Sequence, residues 1–130
     1  MNQISLSTDE LPKKWYNIIP DLPEALPPPH EPNDGVSRLH LLMRIMDGTC
    51  LGQEFSTDRW IDIPEEIREL YLQAGRPRPL YRARRLERYL KLPEDKVRLY
   101  YKREDLSPTG SHKVNTALAQ AYYAAKEGYK

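Results

Sequence analysis

Between residues 107 and 115 the chain reads SPTGSHKVN, and three of its side chains carry chemistry: the Ser111 hydroxyl, the His112 imidazole and the Lys113 amine. Pro108 and Gly110 mark a tight turn, and the alanine-rich run that follows has helical spacing. The spacing places Lys113 in the first turn of that helix. There the positive end of the helix macrodipole disfavours an ammonium ion. Chemistry that needs a neutral amine, above all Schiff-base formation with an aldehyde, gains from that bias. The same residues also read as a plain strand-to-helix connection, with Ser111 capping the helix and Lys113 reaching to water. Neither His30 nor His40 falls at metal-ligand spacing with His112, so a zinc site has no support.

The turn has to be delivered by a strand and backed by helices. VRLYYKRE, residues 97–104, is rich in β-favouring side chains and predicts the strand. In the helix after the turn, Val114, Ala117, Leu118, Ala121, Tyr122 and Ala125 form an apolar stripe that stops at Glu127-Gly128. Upstream, Pro64, Glu65 and Glu66 open a helix that Gly75 closes, with Ile67, Leu70 and Tyr71 on one face. RPRPLYRARRLERYLKLP begins extended, because each proline biases its predecessor away from the α region. It turns helical near Tyr81, with Leu86, Tyr89 and Leu90 on one face. A further helix is predicted over residues 36–48, with Gly48 as its C-cap. Seven of the 12 prolines fall between Pro12 and Pro32, which predicts an extended, polyproline-like arm carrying apolar anchors from Trp15 to Leu26.

At 130 residues and 15.2 kDa the chain has the size of one domain, but 39% hydrophobic and 30% charged residues allow only a small core. A net charge of +1 gives no electrostatic reason to expect nucleic acid or an anionic membrane. The basic cluster at residues 81–91 reads as the solvated face of a helix. Cys50 is the only cysteine, so no internal disulfide forms and a reducing compartment is the simpler expectation. The N-terminus lacks the pattern of a secretory signal, and no stretch reaches membrane-spanning length, so the expected location is cytoplasmic.

The order of elements is that of an α/β fold whose sheet is incomplete. The expected organisation is a proline-rich arm with a short helix over residues 1–60, then the opening of an α/β domain over residues 61–130. A parallel sheet needs further βα units, and the chain looks truncated where they should begin.

KREDLSPTGSHKVNTALAQA resembles the cofactor-lysine segment of tryptophan synthase β chains, within the fold-type II pyridoxal-phosphate enzymes. The matching residues are Lys102, Glu104, Asp105, Thr109, Gly110, Ser111, His112, Lys113 and Asn115. WYNIIPDLPEALPPP, STDRWIDIPEEIRELYLQAGRPRPLYRARRLE and AQAYYAAKEG are similar to the second type of these chains, so the resemblance covers most of the sequence. It implies a fold-type II domain in which Lys113 binds pyridoxal 5'-phosphate as a Schiff base. His112 would lie near the cofactor phosphate, and Ser111, Gly110 and Asn115 would shape the pocket. The implied reaction joins L-serine and indole to L-tryptophan and water, in a homodimer, with a tryptophan synthase α chain as the partner that could deliver indole. Within the same fold type, a threonine synthase, a dehydratase or a cysteine synthase is the alternative, against which the His112-Lys113 pair argues; a non-catalytic remnant is the other. The family's glycine-rich phosphate loop and its later acidic residue have no counterpart after Lys113, so this chain alone is expected to be inactive.

Overall fold

The computed structural model describes residues 2–28 and 30–129; Pro29 of the proline-rich arm and Lys130, where the chain stops, lie outside the described residues. It is a mixed α/β structure with a partial sheet. The chain divides into two units, Met1–Leu11 with Arg68–Asn115, and Pro12–Ile67 with Thr116–Lys130.

The first unit holds a three-stranded sheet in the order β1-β4-β5, from β1 (Gln3–Ile4), β4 (Leu80–Arg82) and β5 (Tyr100–Lys102). All its pairings are antiparallel, with Gln3 opposite Tyr81 and Tyr81 opposite Tyr101. The Tyr81 and Tyr101 rings lie 6.0 Å apart, and the Arg103 guanidinium sits 5.1 Å from the Tyr81 ring centre. Strand β5 falls within the predicted segment, whereas β4 replaces the helix start expected at Tyr81. The two prolines of RPRP hold the approach to Leu80 extended, and strands on both sides then supply its hydrogen bonds. Between β4 and β5 lies α4 (Arg84–Tyr89).

The expected apolar face of α4 is turned to solvent: Leu86, Tyr89 and Leu90 are exposed, Tyr89 to 81%. The buried residue of this helix is Glu87. Its Oε1 accepts hydrogen bonds from Arg82 Nε at 3.0 Å and from the Leu99 N–H at 2.8 Å. A six-residue helix has too little apolar surface to set its own orientation, and the ion pair sets it instead.

The second unit holds β2 (Lys14–Tyr16) and β3 (Trp60–Asp62), paired antiparallel with Lys14 opposite Asp62. The proline-rich arm is therefore not a free polyproline segment. Its Lys14–Tyr16 stretch is a strand, and a 3₁₀ turn follows at Ile19–Asp21. Helix α1 (Arg38–Ile45) starts at Ser37, whose side chain accepts the His40 N–H. Met46 is extended, and a helix that the sequence pattern does not announce follows, α2 (Gly48–Glu54). Gly48 is thus the first residue of a helix and not the cap of the one before. The reason is Asp47, which is buried and accepts the Cys50 N–H at 2.7 Å.

Helix α3 (Glu65–Gln73) runs as predicted, and Ile67 and Tyr71 on its expected face are buried. Gly75, at φ +82°, closes it, with the Arg76 N–H bonded to the Tyr71 carbonyl and the Gly75 N–H to Leu72. Helix α5 (Val114–Lys126) ends at Gly128 in the same way. Its most buried side chain is Tyr123, outside the expected stripe, of which Ala117, Ala121 and Ala125 are exposed. No helix of the described residues is long and apolar enough to cross a membrane.

Candidate functional site

After β5 a 3₁₀ turn at Glu104–Leu106 leads into the segment that carries Lys113. Ser107 is buried, and its hydroxyl braces the turn from inside. Oγ accepts the Ser111 N–H at 2.8 Å and donates to the Ser111 carbonyl at 2.8 Å. The Gly110 N–H bonds the Ser107 carbonyl at 2.9 Å. Gly110 adopts φ +66°, the left-handed conformation that a tight turn demands of it.

Helix α5 begins at Val114, so Lys113 stands one residue before the helix and not inside its first turn. Nor does Ser111 cap the helix at the cap position. It lies two residues earlier, where its Oγ accepts the Lys113 N–H at 3.4 Å. The Asn115 N–H reaches back to the His112 carbonyl at 3.0 Å. The predicted residues Gly110, Ser111, His112, Lys113 and Asn115 thus form one contiguous, internally bonded turn. His112 and Lys113 are exposed, and among the described residues the Lys113 amine has no hydrogen-bond or ion-pair partner.

The Asn115 side chain is committed to the protein. Its Oδ1 accepts from Arg78 Nη1 at 3.2 Å, and its Nδ2 donates to Glu104 Oε2 at 3.1 Å. The Arg78 side chain is only 1% exposed; Nη1 also bonds Glu104 Oε2 at 3.2 Å, and Nη2 donates to the Ala74 carbonyl at 2.6 Å. The sequence pattern marks neither Arg78 nor Ser107 as part of the site. Serines four residues apart across a Pro-Thr-Gly turn were the available signal for Ser107; for Arg78, only its place between Pro77 and Pro79 stands out.

These residues fit pyridoxal phosphate. An exposed, unpartnered primary amine is what an aldehyde condenses with. The start of a 13-residue helix beside it leaves N–H groups suited to a phosphate. A Cβ built on Gly110 would meet no atom within 4 Å, so the turn leaves open space on that side. Among the described residues no cluster of three or more His, Cys, Asp or Glu side chains could hold a metal ion.

No family profile matches the chain. Curated relatives do. Over 128 residues, 98% of this chain, it is 55% identical to the tryptophan synthase beta chain 2 of Methanothermobacter thermautotrophicus, of which it covers 29%. It is 53% identical to tryptophan synthase beta chain 1 of Sulfurisphaera tokodaii over 95% of this chain and 29% of that one. With the tryptophan synthase beta chain of Pyrococcus horikoshii it shares 54% identity over 96% of its length and 27% of the relative. The chain spans less than a third of the length of these relatives.

Proposed function

We propose, from the premise that this chain is a homologue of the tryptophan synthase β chains over nearly all of its own length, that residues 107–115 are the cofactor-anchoring turn of a pyridoxal-phosphate enzyme. The observation that carries the proposal is the exposed, unpartnered amine of Lys113 at the head of α5, held in a turn whose other groups bond one another. In this reading Lys113 Nζ binds the cofactor aldehyde. His112 lies beside the phosphate, and Gly110, Ser111 and Asn115 fix the backbone between them.

The reaction proposed for the whole protein is the replacement of the serine hydroxyl by indole, giving L-tryptophan and water. When bound, pyridoxal phosphate supplies the electron sink that makes the serine α-proton acidic and its hydroxyl a leaving group. The part of this chain is proton transfer and orientation. With the amino acid bound, the Lys113 amine would take the α-proton and return it to the same carbon. The bonded turn fixes the backbone from which the Lys113 side chain reaches that carbon in both transfers. The resemblance extends the proposal to a fold-type II domain, a homodimer, an α chain supplying indole, and a cytoplasmic setting.

The test is borohydride trapping of the chain incubated with pyridoxal phosphate, read by intact mass beside Lys113→Ala. A phosphopyridoxyl adduct in the parent and not in the variant is expected. No adduct, or one spread evenly over other lysines, overturns the reading.

A further inference from the structure

Lys113 is braced from both directions. Two residues before it, Ser111 is held at its N–H and its carbonyl by the buried Ser107 hydroxyl. Two residues after it, Asn115 is held by Arg78 and Glu104. The second brace is a closed ring of three side chains: Glu104 Oε2 accepts from both Arg78 and Asn115, and Arg78 Nη1 donates to both Glu104 and Asn115.

A guanidinium is a costly way to fill such a place. Burying it requires a carboxylate and several acceptors, and an apolar side chain of similar volume often serves stability as well or better. Here the cost is not fully offset, because Arg78 Nε has no hydrogen-bond partner. What the arginine adds is direction. Its planar fork ties three backbone segments at once: the end of α3 through the Ala74 carbonyl, the exit of β5 through Glu104, and the head of α5 through Asn115.

We infer that Arg78 is a positioning residue, acting through Asn115 to fix the start of α5 so that Lys113 offers its amine to pyridoxal phosphate in a single place. The inference rests on the reading of Lys113 given above and names a residue that does not itself touch the cofactor.

A double-mutant cycle with Arg78→Met and Asn115→Ala tests it. Each variant is incubated with pyridoxal phosphate, reduced with borohydride and mapped by peptide mass, and deuterium uptake is followed over residues 111–116. Asn115→Ala leaves the Arg78–Glu104 pair intact; where Arg78→Met melts without a cooperative transition, Arg78→Lys takes its place. The expected result is a loss of adduct at Lys113 relative to other lysines of about tenfold or more, since a misplacement of about 1 Å can cost about a hundredfold. Faster exchange confined to residues 111–116 should accompany it, and the double variant should be no worse than either single one. A purely structural role would lower the melting temperature without moving the share of adduct at Lys113. Unchanged selectivity in folded Arg78 variants, or effects that add in the double variant, overturns this inference alone. A parent chain with no adduct at Lys113 overturns the cofactor reading and this inference with it.

Discussion

Thr49 and Glu127, 78 residues apart in sequence, are joined by two hydrogen bonds: Glu127 Oε1 accepts both the Thr49 N–H at 2.8 Å and the Thr49 hydroxyl at 2.7 Å, while Oε2 takes the N–H of the neighbouring Gly48 at 2.8 Å. A carboxylate just past the end of α5 thereby satisfies the first free N–H groups of α2.

The Thr49 hydroxyl, followed by the two backbone N–H groups, holds the Glu127 carboxyl below the usual glutamate range. The sign follows from linkage. A depressed folded-state pKa contributes stability that is present above the unfolded glutamate pKa of about 4.3 and is lost as pH falls through the folded value. Glu127→Gln should lower the melting temperature at pH 7 and flatten its decline below pH 4. A variant whose acid limb overlays that of the parent would remove this role.

Lys91 should improve on replacement by glycine. It closes α4 at φ +52°, with the Leu92 N–H bonded to the Glu87 carbonyl, the position that Gly75 and Gly128 occupy after α3 and α5. A side chain in the left-handed region costs about 1–2 kcal/mol, and much of that should return in Lys91→Gly as a higher denaturant midpoint. An unchanged or lower midpoint would mean that the lysine stem contributes packing equal to the strain.

Ile67 has no exposed surface, whereas Tyr89 is 81% exposed although both belong to apolar faces predicted from the sequence. Ile67→Ala should cost about 2–5 kcal/mol, a large share of the stability of so small a chain. Tyr89→Ala should stay within about 0.5 kcal/mol. Urea melts of the two variants decide it, and equal losses would contradict the burial described for α3 and α4.

Cys50 should be slow to alkylate. Burial first, then its hydrogen bond to Asp47 and the charges of Asp47 and Glu127, push its thiol up to about 12. The thiolate is the nucleophile, so at pH 8 iodoacetamide should label the folded chain far more slowly than the chain in denaturant. Similar rates in both would place the thiol in water. A raised thiol pKa also means that stability falls as pH rises above the ordinary cysteine value of about 8.5.

What could be read beforehand divides along a physical line. Helix α3, the stop at Gly128, the strand in residues 97–104 and the Lys113 turn all rest on local chemistry: proline, glycine, first-turn carboxylates and paired tyrosines. The parts that were not legible depend on partners distant in sequence. Tyr81 becomes a strand residue because Gln3 and Tyr101 flank it. Helix α4 turns Glu87 inward because the Leu99 N–H and Arg82 meet it there. At the candidate site, Gly110, Ser111, His112, Lys113 and Asn115 could be named from sequence. Arg78 could not, since its link to Asn115 spans 37 residues.

The strand order β1-β4-β5 has a consequence for the order of events on the ribosome. Gln3 is made before its partner Tyr81, which follows 78 residues later. At about 5–20 residues per second, β1 waits roughly 4–16 s for β4 to be synthesised. Two residues of strand offer little edge for another nascent chain to pair with, so the brevity of β1 is itself a protection during that interval.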